Sequence, residues 1–495
     1  MLFGTPFFFF LLLPIILLLY FFITPRFQPH FLLFCSFFAY LWSEGRQTWI
    51  LLLTVLITFC CSRLLKVKGT RRRVWILVFG IVANLSLLLI FKYSGFFITI
   101  LNPLLQRLGM GMLSQPHLPM PLGISFSTFL AISLLIDVYR QTTTPVPTFV
   151  ASALYVSFFP TILSGPITPF RELGPQLQDT GTRSQRIHSG VQRFIIGLGK
   201  KVLLADILAR VANPVFAIPA GELTLPLSWI GLIAYSLQIY FDFSGYTDMA
   251  VGLGQILGFR FMENFNYPYA ATSIMDFWTR WHQSLTRWLR DYLFLPLAYL
   301  VLKSIRQEKW LGIKAESWSY GSGMLVTMVL CGFWHGASWT FILWGGYHGG
   351  FILLERFAWG KRLKKSPLLI RRCYTLCLVT FGWLLFRSAS LERALSFLKA
   401  MFGFNGLYSS TYYPTLYVAN DTMIAFLIAA IGVFPLAPML GQVLANWREQ
   451  GGKGWRWMIS AAAPVFQLLL LTAVLIVAFL YIANETYQPF IYFRF

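Results

Sequence analysis

Charge is what this sequence has least of. Only 12% of its residues are Asp, Glu, Lys or Arg, against about 25% in an ordinary soluble domain. With 57% hydrophobic residues and 48 phenylalanines, a soluble globular core is excluded, because so much apolar surface has nowhere to hide from water. Six cysteines show neither a disulfide framework nor zinc-ligand spacing. No dinucleotide fingerprint is present, which excludes hydride transfer of the usual kind. A nucleophile elbow of the G-x-S-x-G type is also missing, and with it serine-triad hydrolysis. GLGKK (197–201) lacks the Walker spacing, so it reads as a basic helix end. There is no internal repeat, no low-complexity linker and no soluble insertion, and the chain reads as one domain, 1–495.

What is there is membrane. Residues 1–25 carry no charge, and neither do residues 457–484; each is long enough to cross a hydrocarbon core, which takes about 20 apolar residues. The first run lacks a basic leader and a small-residue cleavage site, so a retained span is expected. Apolar runs at helix-length spacing predict an all-α, polytopic membrane protein of about eleven to thirteen spans, some short enough to tilt or re-enter. Among them are separate spans at 74–92 and 94–106, and at 226–243 and 246–258. The formal charge of +22 sits in short loops, chiefly 63–73 and 356–372, with a mixed-charge segment at 171–201. That is the positive-inside pattern and makes a nucleic-acid partner unnecessary. Those loops are expected on the cytoplasmic side, and three spans before the first place the N-terminus on the other.

Polar residues in such a chain mark its working parts. Two of only six histidines lie in tryptophan-flanked motifs: His282 in DFWTRWHQSL and His335 in CGFWHGASW. Histidine is the side chain best matched to moving a proton near neutral pH. The segment from Ile274 onward is read as one long amphipathic helix with Trp278, His282 and Leu285 on one face. It either lies at the interface or lines a wet cavity. Asp242 and Asp248 are expected as buried structural pins reaching an arginine of the 280–290 helix, with Asp276 and His348 as further polar core residues. Gly254-xxx-Gly258 and Gly345-xxx-Gly349 are read as close-approach packing devices. Cys331, one turn before His335, is read as a packed small residue. His30, His117 and His188 are placed in loops. Glycine and proline interrupt the helical pattern at PLGISFSTF (121–129) and FFPTILSGPI (158–167). Irregular backbone at membrane depth is tolerated where it lines a cavity or is buried in protein, so a central chamber is expected. Acyl transfer from a thioester to a hydroxyl suits one imidazole as base, a second beside it, and no metal set.

These segments, with IYFDFSGYTDMAVGLG (239–254), NYPYAATSIMDFWTRWHQSLTRWLRDYLFLPL (266–297), GFWHGASWTFILWGGYHG (332–349) and the terminal PFIYFRF (489–495), occur in the order of a known family. The chain resembles the membrane-bound O-acyltransferases (MBOAT) of the alginate O-acetylase type. The resemblance implies a helical fold around a central tunnel, with peripheral helices at 1–115, a catalytic core at 116–360 and C-terminal helices at 361–495. It implies His335 as the catalytic histidine and His282 as the second active-site histidine. It further implies acetyl-CoA or another acyl thioester as co-substrate, with no bound cofactor and no metal. Lys200, Lys201, Arg290 and Trp278 are the candidates to contact that donor. The acceptor would be an exported polysaccharide or a periplasmic SGNH-like acetyltransferase partner, in the bacterial inner membrane. Ala298-Tyr299-Leu300 departs from the family's Gly-Gly-Asn-Arg-like turn, Thr279 stands where a second Arg is common, and Ser127 replaces a usual aromatic. These changes bear on donor contacts and leave both histidines in place. The competing class is a transporter or a non-catalytic subunit of a polysaccharide export machine, with the Asp and His residues as a proton relay.

Overall fold

A computed structural model describes residues 6–116, 118–143, 148–178, 186–305, 307–310, 312–450, 453–484 and 490–491. His117 and most of the terminal PFIYFRF lie outside them. The described residues are almost wholly helical; the only strands among them form a hairpin pairing Lys309–Trp310 with Ile313–Lys314. Four stretches are long and apolar enough to cross a membrane: Pro25–Leu64, Thr70–Arg107, Leu368–Arg387 and Ser460–Ala483. Shorter apolar helices, Phe8–Phe22, Ile124–Tyr139 and Asn420–Gly432, accompany them. The outer helices carry exposed Phe, Leu and Trp side chains, as expected of a surface solvated by lipid rather than water. The chain is a multi-pass membrane protein.

The expected division at residue 93 does not occur. Thr70–Arg107 is continuous, with a π-turn at Leu89–Tyr93, so Lys92 lies inside a span and does not end one. Leu225–Ile256 is likewise a single helix of 32 residues. The FSGY sequence, which had looked like a break, packs instead. A side chain at Gly197 would strike the Gly245 carbonyl, and one at Gly252 the Gly190 carbonyl, so the helix Ile187–Gly199 lies directly on the long one. Glycines permit that approach, though not the pair expected for this helix. Gly258 lies beyond the helix end at φ +83° and closes it, while the Phe259 amide returns to the Gly254 carbonyl at 2.7 Å. Gly345 and Gly349 do behave as expected. Both face Met328 on the neighbouring helix, locking Trp339–Leu354 onto Ala315–His335.

The FFPTILSGPI segment is non-helical and fully buried. Its backbone polar groups are satisfied by side chains, as burial at this depth demands. Ser36 Oγ accepts from the Phe159 amide at 3.1 Å and Ser284 Oγ from the Ile167 amide at 3.0 Å. Tyr155 and Tyr246 donate to the Thr168 and Pro160 carbonyls. A Cβ at Gly123, which has φ +69°, would strike the Ile162 carbonyl. The two glycine- and proline-broken motifs are therefore packed on each other. His30 and His188 lie in the first turns of helices rather than in loops.

Candidate active site

The expected long helix through His282 is broken at the histidine itself. Ile274–Arg280 ends, Trp281 is extended, and Gln283–Leu289 begins. His282 holds φ +44° and ψ +53°, a left-handed conformation that L side chains adopt only at a cost of about 1–3 kcal/mol and which clusters at functional sites. Asn264 fixes the kink. Its carbonyl accepts from the Gln283 amide at 2.9 Å, and its side-chain Oδ1 accepts from the Ser284 amide at 3.2 Å. The same Oδ1 lies 3.3 Å from His282 Nδ1.

That geometry assigns the proton. Because Asn264 Oδ1 is already an acceptor, the histidine nitrogen facing it must donate. Nδ1 of the neutral ring then carries the hydrogen and Nε2 is an acceptor. His282 is fully buried, Phe243 meets its ring edge-to-face at 4.6 Å, and Nε2 has no hydrogen-bond partner among the described residues.

His335 is the last residue of Ala315–His335 and is 3% exposed. Trp334, Trp344 and Phe386 surround its ring at 4.8, 5.3 and 5.3 Å. Lys92 bonds to the carbonyl of Trp334, the residue before His335, and an aromatic stack links this segment to that of His282. Phe129 stacks between Trp288 at 3.9 Å and Trp334 at 4.9 Å, joining the His282 and His335 segments. Trp278, Trp281 and Trp288 are 5%, 1% and 5% exposed. They are therefore packed in the core and are not anchors at the lipid headgroups.

Two residues the sequence did not single out complete the arrangement. Lys92 Nζ donates to the Trp334 carbonyl at 2.6 Å and to Ser125 Oγ at 3.1 Å. Beside it, Tyr93 donates to the Phe333 carbonyl at 3.0 Å. The two residues satisfy carbonyls that the end of the His335 helix would otherwise leave open. Glu355 accepts from the Ile274 and Met275 amides at 2.7 and 3.1 Å, a carboxylate at a helix N-terminus as the helix dipole favours. An ionisable residue inside an apolar run was the available signal for Lys92. Glu355 gave none, since it adjoins a basic loop.

The other expected site residues divide sharply. Trp278 and Arg290 line a largely apolar cavity of about 260 Å³ with Thr279, Thr286, Met328 and Ile352. Trp278 packs on Trp344 at 5.6 Å, and Trp344 on His335, so this cavity ends one aromatic layer from the histidine. Lys201 is elsewhere, 1% exposed and held by Asp206 at 2.8 Å and Asp242 at 2.6 Å. Lys200 pairs with Asp248 at 2.7 Å, which Arg193 also holds at 2.9 Å. Asp242 and Asp248 are thus pins, but to this basic helix end and Arg193 rather than to the 280–290 helix, and both lysines are already neutralised. Asp276 accepts from Arg280 at 2.7 Å and from the Thr272 amide at 2.9 Å, inside its own short helix. His348 is 1% exposed, stands against Trp278 and Trp344, and fits onto Gly382 of Leu368–Arg387. Cys331 is buried.

Comparison with known proteins identifies the family. The model of the MBOAT, membrane-bound O-acyltransferase family, matches residues 37–391, which include both histidines and Lys92. The chain is 36% identical over 439 residues to a probable alginate O-acetylase of Azotobacter vinelandii, covering 85% of this chain and 84% of that one. To the probable alginate O-acetylase of Pseudomonas aeruginosa it is 37% identical, over 77% of this chain and 70% of the other. A peptidoglycan O-acetyltransferase of Helicobacter pylori is 34% identical over 77% and 75%. This helical membrane protein is thus an acyl-transferring enzyme, and the chain belongs to the membrane-bound O-acyltransferase family.

Proposed function

We propose that this enzyme transfers an acetyl group from a thioester donor, acetyl-CoA, for the O-acetylation of an exported polysaccharide in the bacterial inner membrane. The acceptor is a sugar hydroxyl or the hydroxyl of a periplasmic SGNH-like partner that passes the group on. The observation that carries this reading is His335, buried at a helix end and joined through the Phe129 stack to the segment of a second buried imidazole, His282. The names of the relatives, a probable alginate O-acetylase and a peptidoglycan O-acetyltransferase, suggest the polymer class.

The chemistry follows from the groups present. His335 takes the proton of the acceptor hydroxyl as its oxygen bonds to the thioester carbon. The carbonyl becomes an oxyanion, and collapse of that adduct breaks the carbon–sulfur bond. The departing thiolate recovers the proton from the imidazolium, leaving an ester and a free thiol. Neutral His282, protonated at Nδ1, offers an acceptor at Nε2 and orients a donor group of the bound substrates. The cavity bounded by Trp278 and Arg290 is smaller than pockets that enclose whole drug-sized ligands, roughly 300–1,000 Å³. It suits the slender thioester arm of a donor whose nucleotide stays outside. Lys200 and Lys201 have no part in this reading, because their charges are taken.

The test is thiol release from acetyl-CoA by purified protein supplied with an unacetylated alginate oligosaccharide as the hydroxyl acceptor. His335→Ala is expected to remain folded and to release no thiol above background. Wild-type release by that variant would remove His335 as the base.

A further inference from the structure

The mechanism above leaves the oxyanion without an assigned partner. His282 is the obvious candidate, yet as a neutral ring its one N–H is directed at Asn264 Oδ1, and Nε2 cannot donate. Lys92 is an ionisable side chain bonded to the backbone immediately before His335. Its Nζ is anchored by two acceptors, the Trp334 carbonyl and Ser125 Oγ. An ammonium has three hydrogens to donate, so one remains. Among the described residues no carboxylate forms an ion pair with Lys92. A positive charge in an apolar span without a counter-ion is costly. It is useful when negative charge arises beside it during a reaction. Its other neighbours are the Tyr93 and Trp334 rings, 5.8 and 5.7 Å from Nζ.

We propose that Lys92 is a catalytic residue of this acyl transfer, donating its third N–H to the carbonyl oxygen of the thioester as that oxygen gains negative charge. The two anchoring contacts fix Nζ before the substrate arrives, and the anchor is the backbone that carries His335. Base and oxyanion donor are thereby held at a set separation. The inference rests on the acyl-transfer reading of His335.

The experiment compares steady-state thiol release from acetyl-CoA, with the same acceptor supplied, by purified Lys92→Met, Lys92→Arg, Tyr93→Phe and His335→Ala proteins, each with its unfolding temperature. Removing one oxyanion donor costs on the order of a hundredfold in kcat. Lys92→Met is therefore expected to lose about that much in kcat, with KM for acetyl-CoA within threefold of wild type. Lys92→Arg, which keeps a cation, is expected to recover part of the loss. Tyr93→Phe removes the neighbouring clamp without touching the charge and is expected to stay within threefold. Wild-type kcat in Lys92→Met overturns the assignment, and so does an equal loss in Tyr93→Phe, which would make Lys92 a clamp only. Should Lys92→Met fail to fold, Lys92→Leu, which likewise has no N–H and no charge, takes its place under the same criteria. A silent His335→Ala beside a fully active Lys92→Met sinks this inference alone. An active His335→Ala sinks the acyl-transfer reading beneath it.

Discussion

Two lysines lie in apolar surroundings in this molecule, and they are treated in opposite ways. Lys201 is met by two carboxylates, Asp206 and Asp242, with the Phe490 ring 4.6 Å from its Nζ, and Asp242 also accepts from the Ile491 amide. Lys92 is met by a carbonyl and a hydroxyl. The first arrangement compensates charge and ties together four parts of the chain, down to the C-terminal residues. The second leaves the charge without a carboxylate, faced by the Tyr93 and Trp334 rings at 5.8 and 5.7 Å, close to His335. Paired charge holds this fold together; unpaired charge is positioned for a reaction. A chain with only 18 acidic residues had few carboxylates to place, and none of those described pairs with Lys92.

The comparison can be broken by substitution. Lys201→Met leaves Asp206 and Asp242 buried without their cation, and breaking a buried pair costs about 3–5 kcal/mol. Its unfolding temperature in detergent should fall steeply, and a Lys201→Met/Asp242→Asn double variant should recover part of the fall. A wild-type melting curve for the single variant would show that the triad is not a pin. Asn264→Ala removes the group that sets the tautomer and the kink at His282, and misplacement of this kind costs about a hundredfold at most. Turnover should drop tenfold or more, with less loss in stability than for Lys201→Met; equal activity would detach Asn264 from the site. Gly345→Val forces the Trp339–Leu354 helix off Met328, an overpacking worth about 1–3 kcal/mol, readable as a lower unfolding temperature. Arg290→Ala should change least, raising KM for acetyl-CoA a few-fold at constant kcat. A change in kcat alone would move Arg290 away from the donor entrance.

Much of this arrangement was legible in the chain. The two histidine motifs, the buried irregular segment at 158–167 and the glycine contacts of Gly345 and Gly349 follow from residue type and spacing. Three features did not, each for a physical reason. The break at His282 lies in RWHQSL, where no glycine or proline marks it; the conformation is imposed by Asn264, 18 residues away. The division at residue 93 followed from the spacing of apolar runs, whereas Thr70–Arg107 is continuous and Lys92 within it is accommodated by a carbonyl at the end of a helix 242 residues further on. Asp242 and Asp248 were recognised as pins, but a pin's partner is a matter of tertiary packing, and Lys200, Lys201 and Arg193 had been assigned to topology. Spacing locates a polar residue in an apolar chain; only the assembled helices show whether its charge is matched.

The most direct test of that distinction is to measure thiol release, with the alginate acceptor supplied, and unfolding temperature on the same preparations of wild type, His335→Ala and Lys201→Met. The account predicts that His335→Ala melts within a few degrees of wild type and releases no thiol from acetyl-CoA above background, while Lys201→Met melts far lower. Thiol release at the wild-type rate by a folded His335→Ala protein would contradict it.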